Sequence, residues 1–326
     1  MLDNKSILIT GGTGSFGKEF IRIALKKYKK IRKLIVYSRD ELKQYEMKKI
    51  FSEEKYPCMR YFIGDIRDLN RLKLATQDVD FLIHAAALKQ VDTAEYNPFE
   101  YVKTNVLGTQ NITEVSLENN LKKVISLSTD KSVSPINLYG ATKLCSDKII
   151  LSSNNFKGKK DCIFSVVRYG NVTASRGSVI PLFKEKILNK EEIKITDTRM
   201  TRFNISLSAG VEMVLWSLKN AFGNEILVPK LKSYKLLDII KALKIKKYKI
   251  IGTRPGEKIH EELINKDESV NTLDIGKYYV VLQNKRDNKI IKYYKKNFKA
   301  FFIGENISYN SKDTNYLSIK ELQNLL

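Results

Sequence analysis

The sequence contains few of the residues that bind metals or form disulfides. Its 326 residues include three cysteines, Cys58, Cys145 and Cys162, which are scattered and form no CxxC pair. An odd number of scattered cysteines is typical of a reducing compartment, and it argues against both a disulfide framework and a zinc site. The two histidines, His84 and His260, are too few and too far apart in sequence to suggest a histidine-based metal site. We therefore expect no metal centre.

Long apolar segments are also absent. No apolar run reaches the roughly 20 residues that a membrane-spanning helix needs. The first residues, MLDNKSILITGG, have neither the apolar core nor the small-residue cleavage site of a secretory signal peptide. These features predict a cytoplasmic protein with no membrane partner.

Acidic residues are scarce relative to basic ones. The chain has 58 lysines and arginines against 36 aspartates and glutamates, which gives a formal net charge of +22. Such a charge permits binding of nucleic acid, an anionic membrane surface or a phosphorylated small molecule. The excess is mainly lysine in solvated-looking segments, and no RNA-binding aromatic signature or zinc-finger spacing accompanies it. Nucleic acid is therefore not the expected partner, although a basic nucleic-acid-binding protein on a Rossmann-like scaffold is an alternative from a different class.

Apolar, β-rich runs alternate with helical segments through the first half of the chain. Near-continuous apolar strands separated by helices are typical of a parallel sheet that is covered on both faces. We therefore predict an α/β fold, a doubly wound parallel sheet with a smaller C-terminal region. The strands are predicted at residues 6–10, 33–37, 60–64, 81–85, 123–128, 163–169 and 225–229, and helices include 16–28, 102–120 and 208–220.

The first predicted strand ends in TGGTGSFG, a glycine-rich turn that leads into a helix. Glycines there allow a tight turn, let the backbone approach a pyrophosphate and let the helix pack closely on the strand. The free amide groups at the helix start then face the phosphates. The GxxGxxG spacing resembles that of extended short-chain dehydrogenase/reductases. The sequence predicts a dinucleotide site, with contacts in this turn from Gly11, Thr13, Gly14, Ser15, Phe16 and Gly17.

The end of the second strand, VYSRDELKQ, favours NADP over NAD. An NAD site usually places an acidic residue there to bind the ribose 2′-hydroxyl. Ser38, Arg39 and Lys43 instead supply a hydroxyl and two cations, which suit a 2′-phosphate. NAD stays open because Asp40 or Glu41 could also reach the ribose.

Two later strand ends complete the predicted cofactor site. Asp65 and Ile66 follow the third strand and are expected to flank the adenine. The small residues Ala85, Ala86 and Ala87 follow the fourth strand and would let the cofactor lie against them. A plain buried strand end is the alternative for these alanines.

The fifth strand leads into STDKSVSPINLYGATK, residues 128–143. Tyr139 and Lys143 form a YxxxK pair on one face of a predicted helix. A lysine ammonium near a phenol favours the phenolate, so the tyrosine can serve as a base near neutral pH.

Three further polar residues, Thr129, Asp130 and Lys131, lie at the carboxyl end of this strand, where doubly wound sheets bind ligands. A dehydrogenase or simple epimerase needs only the hydroxyl, the tyrosine and the lysine of the helix. The additional acid–base pair predicts chemistry beyond hydride transfer. A surface ion pair, worth less than about 1 kcal/mol, is the alternative.

Twelve short segments together carry a family resemblance. In chain order they are GGTGSFG, YSRDELKQ, GDIRD, HAAALK, AEYNP, KTNVLGTQN, STDK, NLYGATK, RYGNV, SRGSVIPLF, ITDTRMTRF and RPGEKIHE. They resemble the inverting UDP-N-acetylglucosamine 4,6-dehydratases, which are extended short-chain dehydrogenase/reductases of bacterial surface-sugar synthesis. The match runs from residue 5 to about residue 265, and SYNS at 308–311 also fits.

Several positions depart from the family pattern. Asp92 stands where proline is expected, Ala174 where many members have glycine, and Asn204 where an aromatic residue is common. KQV and ASRGSVIPLF are more similar to a sister branch that makes the precursor of N-acetyl-L-fucosamine, although that branch typically lacks the tyrosine of NLYG. This branch and a UDP-sugar 4-epimerase or dehydrogenase are therefore the alternative functions.

The resemblance implies a mechanism. Tyr139, helped by Thr129 and Lys143, would remove the proton of the sugar 4-hydroxyl while hydride passes from C4 to NADP. Lys131 would then remove the C5 hydrogen, and Asp130 would protonate the departing 6-hydroxyl. Hydride returns to C6, and protonation of C5 from the opposite face, by Tyr139 or Lys131, inverts that centre.

The resemblance also implies the remaining contacts. Asn105 and Val172 would complete the cofactor site, and the protein would be a homo-oligomer. The strand–helix pattern loosens after Arg168 and resumes at 208–229, so we expect 1–170, rejoined by 205–230, to form the NADP-binding domain and 171–204 with 231–326 the UDP-sugar-binding region. The substrate UDP-N-acetylglucosamine would contact Lys89, Asn171, Ser178, Arg202, Arg254, Glu257 and Tyr309.

Overall fold

The structure, a computed structural model, describes residues 1–173 and 179–325. The strands are β1 Ser6–Thr10, β2 Lys33–Ser38, β3 Met59–Ile63, β4 Phe81–His84, β5 Lys123–Thr129, β6 Ile163–Tyr169, β7 Asn171–Val172, β8 Lys194–Ile195, β9 Thr201–Ile205, β10 Glu225–Pro229, β11 Ser233–Lys235, β12 Lys249–Ile250, β13 Glu262–Ile264, β14 Thr272–Asp274, β15 Tyr278–Leu282, β16 Phe301–Phe302 and β17 Tyr309–Asn310. The helices are α1 Ser15–Lys27, α2 Glu41–Ile50, α3 Leu69–Ala75, α4 Val91–Tyr96, α5 Pro98–Tyr101, α6 Gly108–Glu118, α7 Leu138–Phe156, α8 Val179–Leu188, α9 Leu207–Asn220, α10 Leu236–Ala242, α11 Lys266–Ser269, α12 Asn288–Phe298 and α13 Ile319–Asn324.

Within these residues, ten strands form one large sheet. The order across it is β16, β14, β15, β10, β6, β5, β4, β1, β2 and β3, and the pairs from β10 to β3 are all parallel. The predicted α/β, doubly wound parallel sheet is confirmed. Every predicted strand is present with ends within one residue of the prediction.

Side chains that alternate along the strands build a core on each face of the sheet. Ile7 and Ile9 of β1 belong to one apolar cluster, which also includes residues of α1 and α9. Leu8 between them belongs to the other cluster, with residues of α6 and α7. Successive strand residues point to opposite faces, so fully buried strands need apolar residues at every position. Burying one such side chain contributes about 1.5–3 kcal/mol.

The edge beyond β10 differs from the prediction. β15 pairs antiparallel with β10, β14 pairs with β15, and β16 pairs with β14. We expected residues 231–326 to belong to the sugar-binding region, yet 272–302 extend the large sheet. Antiparallel neighbours need no crossover helix. β14 and β15 accordingly follow each other with only a short turn between them, so this pair lacks the strand–helix alternation that identified the parallel strands.

The remaining segments form smaller sheets beside the carboxyl ends of the parallel strands. β9 pairs with β7 and β11, β8 with β12, and β13 with β17. A separate apolar cluster, with members from α8, β8, α10 and α13, holds this region together. None of the helices in the described part of the chain combines the length and apolar composition that a membrane crossing requires.

Candidate active site

The turn between β1 and α1 has a shape that only glycine permits. Gly11 has a φ of +65°, and a Cβ there would lie 2.9 Å from the backbone nitrogen of Ala86. A Cβ at Gly17 would lie 2.2 Å from the carbonyl oxygen of Gly12. Gly14 is the N-cap of α1 and provides no side-chain cap, so the first amide groups of the helix are left for a ligand. These observations fit a dinucleotide pyrophosphate.

The cations predicted to select NADP make ion pairs in the structure. The Nη1 of Arg39 lies 3.4 Å from the Oδ2 of Asp65, and Lys43 donates to the carboxylate of Asp40. Ser38 is buried at the end of β2, where its Oγ accepts a hydrogen bond from the side chain of Gln44. All of these side chains lie next to the strand end where the ribose is expected, and the preference for NADP stays a prediction.

Polar groups fix the segment after β4. The Oγ1 of Thr10 accepts hydrogen bonds from the backbone nitrogens of Ala85 and Ala86, at 3.2 and 3.3 Å. Asn105 lies in a π-helical turn, Val102–Leu107. Its side chain bonds both backbone groups of Leu88, each at 2.9 Å. The segment predicted to lie along the cofactor is therefore held in one conformation.

Gly140 brings α7 against the turn that carries the acid–base pair. A Cβ at this position would lie 2.2 Å from the carbonyl oxygen of Lys131. Asn137 begins the helix as its N-cap, because its side chain accepts a hydrogen bond from the backbone nitrogen of Gly140 at 2.8 Å. This local sequence, NLYG, places Tyr139 beside Thr129, Asp130 and Lys131.

Asp130 and Lys131 form a buried pair rather than a surface one. Asp130 has no exposed surface, and the side chain of Lys131 is 24% exposed. The Nζ of Lys131 donates to the Oδ1 of Asp130 at 3.0 Å and to the Oδ1 of Asn171 at 3.3 Å. A second carboxylate, Glu261, places its Oε1 3.1 Å from the same Nζ. The alternative of a solvated ion pair is therefore wrong.

The two carboxyl groups beside Lys131 have different proton affinities. Burial raises the pKa of Asp130 above its usual range, although Lys131 opposes the shift. Burial acts in the same direction on Glu261, but Lys131 and Arg202 outweigh it and hold the pKa of Glu261 below its usual range. Burial lowers the pKa of Lys131, and the two carboxylates outweigh that effect and raise it. These shifts favour a proton on Asp130, an ionised Glu261 and an ammonium on Lys131.

Tyr139 is buried, and burial raises its pKa to about 12. The cation that lowers this pKa most is Lys131, with a further contribution from a hydrogen bond to Thr129. We expected Lys143 in that role, but its Nζ donates to the carbonyl oxygen of Leu127 at 2.8 Å. Burial also lowers the pKa of Lys143.

A cavity of about 590 Å³ connects the acid–base group to the smaller region. Thr129, Lys131 and Tyr139 line the cavity on the side of the large sheet. Val172, which belongs to β7, also lines it. Five of the predicted substrate residues share the cavity wall, namely Lys89, Asn171, Arg202, Arg254 and Glu257. The structure therefore brings together most of the predicted catalytic and substrate residues.

The two arginines of the cavity are held by carbonyl and carboxylate oxygens. Arg202 donates to the carbonyl of Ile259 at 2.9 Å and lies 3.5 Å from Glu257. The Nη1 of Arg254 lies 3.2 Å from the carboxylate of Asp92 on α4, and its Nη2 lies 3.4 Å from Glu257. Asp92 and Arg254 thus pair across the cavity.

Two predicted substrate residues are not in this group. Tyr309 lies outside the cavity wall, because its hydroxyl bonds both backbone groups of Leu231 and its ring packs against Phe203 and Tyr279. Ser178 lies outside the described residues.

Glu261 and Tyr234 are among the polar residues of the cavity wall that the sequence did not predict. Glu261 is the last residue of the segment RPGEKIHE, so the resemblance did contain it, but nothing local indicated its contact with Lys131. Tyr234 is buried on β11, and its position gives no sequence signal.

Comparisons with known proteins agree with this geometry. The profile of a family described as "Polysaccharide biosynthesis protein" matches residues 7–283. The chain is 54% identical over 283 residues to a UDP-N-acetylglucosamine 4,6-dehydratase (inverting) of Campylobacter jejuni, covering 86% of this chain and 84% of that protein. It is 39% identical over 333 residues to a UDP-glucose 4-epimerase of Rickettsia bellii, covering 100% and 96%. The X-ray structure of Pen from Bacillus thuringiensis has a TM-score of 0.88 at 35% identity, covering 100% of this chain and 98% of that one.

Proposed function

The chain belongs to the polysaccharide biosynthesis protein family, and from that premise we propose that it is a UDP-N-acetylglucosamine 4,6-dehydratase that inverts C5. The observation that carries this proposal is the buried Asp130–Lys131 pair, of which Lys131 lines the cavity beside Tyr139. A carboxyl group that holds its proton and an amine nearby are the acid and base that elimination of a hydroxyl requires. The identity to the Campylobacter dehydratase supports the same activity.

NADP is the cofactor that we propose. The glycine turn and the start of α1 would hold its pyrophosphate, and Ser38, Arg39 and Lys43 would lie by the 2′-phosphate. A bound nicotinamide supplies the chemistry of hydride acceptance and donation. The large sheet, 1–170 with 205–230, is the proposed cofactor domain, extended by 272–302.

The chain's own residues account for the proton transfers. Tyr139 accepts the proton of the 4-hydroxyl in its phenolate form, which burial disfavours and which Thr129 and Lys131 favour. Once C4 is a ketone, Lys131 in its neutral form takes the acidified C5 proton. Asp130 gives its proton to the 6-hydroxyl, which leaves as water. Each proton thus moves between groups that the structure places in one cluster.

Inversion requires that C5 regain its proton from the face opposite Lys131. Tyr139 holds the proton taken from the 4-hydroxyl, and donating it to C5 returns the tyrosine to the phenolate. The product is UDP-2-acetamido-2,6-dideoxy-β-L-arabino-hex-4-ulose, which would serve bacterial surface-sugar synthesis of the pseudaminic acid type. A homo-oligomer in the cytoplasm is part of this proposal.

The positively charged cavity residues would bind the UDP group. Guanidinium groups match phosphate oxygens in a bidentate manner, which suits Arg202 and Arg254 for the diphosphate. Glu257 contacts both arginines and would accept from a ribose hydroxyl. Lys89 and Asn171 line the cavity on the side of the acid–base pair and would lie by the sugar.

A UDP-sugar 4-epimerase is the second candidate, because the Rickettsia relative with that name spans the whole chain. The dehydratase of the N-acetyl-L-fucosamine branch is a third. An epimerase has no use for Asp130 and Lys131, whereas both dehydratases need them. Incubation with UDP-N-acetylglucosamine and mass spectrometry of the product separates dehydration from epimerisation, and proton NMR of the sugar-ring configuration separates the two dehydratases. Loss of one water without added NADPH supports dehydration, and an unchanged mass with a changed C4 configuration would contradict it.

A further inference from the structure

The segment SYNS, residues 308–311, has no part in the mechanism above, although it fits the family resemblance. It lies beyond residues 7–283, which the family profile matches. Tyr309, the residue of this segment that we expected at the substrate, bonds Leu231 instead. Ser311, at the end of the segment, has no exposed surface and contacts two residues next to or within the cavity wall.

The first of these contacts fixes the backbone of Glu261. The Oγ of Ser311 accepts a hydrogen bond from the backbone nitrogen of Glu261 at 2.9 Å, and the backbone nitrogen of Ser311 donates to the carbonyl oxygen of Glu261 at 2.8 Å. Residues 251–259, which come just before, form neither helix nor strand. The position of the Glu261 backbone therefore depends on bonds to other segments, and Ser311 supplies two of them.

The second contact fixes the strand that carries Arg202. The Oγ of Ser311 lies 2.7 Å from the Oγ1 of Thr201 and 3.3 Å from the carbonyl oxygen of Thr201. The same carbonyl accepts a hydrogen bond from the Nη1 of Arg202 at 2.8 Å. A serine hydroxyl can donate and accept at the same time. One side chain thus ties the C-terminal segment both to β9 and to the residues before β13.

The side chains that are held in this way meet at Lys131. The Oε1 of Glu261 lies 3.1 Å from the Nζ of Lys131 and 3.8 Å from the Nε of Arg202. Glu261 stabilises the Lys131 ammonium, and that cation lowers the pKa of Tyr139. Arg202 lines the cavity, where we propose that the diphosphate binds. A shift of the backbone near Ser311 would therefore change both the acid–base cluster and the phosphate contact.

We propose that Ser311 is a positioning residue of the active site. Its hydroxyl fixes the backbones of Glu261 and Thr201 relative to each other. The Glu261 carboxylate then reaches Lys131, and the guanidinium of Arg202 stays in the cavity wall. The inference rests on the proposed function, because the roles of Lys131 and Arg202 come from it. Ser311 itself does not line the cavity, so it acts through these two side chains.

The test is the kinetics of water loss from UDP-N-acetylglucosamine in Ser311→Ala. Without the hydroxyl, the backbone nitrogen of Glu261 loses a buried partner, and the two tied segments can move apart. We expect a higher KM, a lower kcat, and a kcat/KM about tenfold lower, within the roughly 10²-fold loss that a displacement of about 1 Å can cause. Destabilisation alone would lower the folded fraction, and hence kcat, but would leave the KM unchanged. That result overturns the proposal, as does a parental kcat/KM.

Ser308→Ala is the matched control from the same segment. The Oγ of Ser308 donates to the carboxylate of Glu262, which lies opposite Asn310 in the β13–β17 pair and is not in the cavity wall. This variant should keep the parental kcat and KM. An equal loss in Ser308→Ala would indicate general loosening of the strand pair and would count against Ser311.

A double variant tests whether Ser311 acts through Glu261. Residues that act as one unit give losses that are less than additive. Ser311→Ala should therefore lower kcat by a smaller factor in a Glu261→Gln background than in the parent protein. Fully additive losses would contradict action through the Glu261 carboxylate.

A further readout needs no substrate. Crystal structures of the parent protein and of Ser311→Ala give the distance between the Oε1 of Glu261 and the Nζ of Lys131. It should lengthen from 3.1 Å to beyond the roughly 4 Å limit of an ion pair. An unchanged distance refutes the positioning role. Failure of the parent protein to release water from UDP-N-acetylglucosamine, with a lengthened distance in the variant, instead counts against the proposed function alone.

Discussion

Replacement of Lys131 by alanine should affect both stability and chemistry. The ammonium of Lys131 lies 3.0 Å from Asp130 and 3.1 Å from Glu261, and both carboxylates are buried. Removing it leaves two acidic groups without the cation that they share. Removing one partner of a buried ion pair costs about 3–5 kcal/mol. We expect a loss of unfolding free energy near the lower end, about 3 kcal/mol, because Arg202 remains beside Glu261.

The stability loss should depend on pH. In the variant the pKa of Asp130 is raised further above its unfolded value, so the folded state binds a proton more tightly than the unfolded state does. Stability therefore increases as pH falls through the folded pKa, and the deficit should shrink in mild acid. Urea unfolding of parent and variant at neutral and mildly acidic pH measures this difference.

Lys131→Arg is the matched variant that separates charge from basicity. Arginine retains the cation but does not lose its proton in proteins. It should recover most of the stability, while water loss stays about 10²–10⁴-fold below the parent, as for a missing general base. C4 oxidation should persist in Lys131→Arg and be slower in Lys131→Ala, which loses the cation that lowers the pKa of Tyr139; borodeuteride reduction of the 4-keto sugar detects it in both. Parental dehydration by either variant would refute the assignment of Lys131 as base, and an unchanged stability of Lys131→Ala would refute the charge argument.

Three further predictions concern other parts of the site. Asp130→Asn should still exchange the C5 hydrogen of the substrate with solvent, as measured by NMR. It should release water from the substrate about 10²–10⁴-fold more slowly, as measured by mass spectrometry. Water release at the parental rate would exclude Asp130 as the acid. Gly17→Ala should abolish dinucleotide binding in calorimetry, because its Cβ would lie 2.2 Å from the carbonyl of Gly12; parental affinity would contradict the proposed turn. Asp92→Asn should lower the KM for the UDP-sugar a few-fold, because the carboxylate of Asp92 pairs with Arg254 at 3.2 Å and competes with phosphate for that guanidinium. An unchanged KM at low salt would show that this exposed pair does not affect substrate binding.

The large sheet could be predicted from the sequence because its signals are local. Each parallel strand is an apolar run followed by a helix. The glycines at 11, 14 and 17 mark the turn from the first strand into the first helix. Asp130 and Lys131 could be placed as well, since they follow β5 directly and ligands bind at that edge of the sheet. Their burial, however, depends on α7 and on the smaller region that covers them.

The remaining features depend on contacts between distant segments. β14, β15 and β16 are short strands that join the sheet in antiparallel pairs, and no helix separates β14 from β15. Tyr309 looked like part of a closing segment, but its hydroxyl is bonded to Leu231. Glu261 reaches Lys131 only because the segment before β13 folds over the cavity. Sequence spacing alone contains none of this information.

The fate of the C5 hydrogen distinguishes dehydration with C5 inversion from epimerisation at C4. The protein should be incubated with UDP-N-acetylglucosamine in deuterated water and the product studied by mass spectrometry and proton NMR. The proposed chemistry predicts loss of one water, one solvent deuteron at C5 and the L-arabino configuration. A product that retains its original C5 hydrogen, or one with an unchanged mass and an inverted C4, would contradict the account.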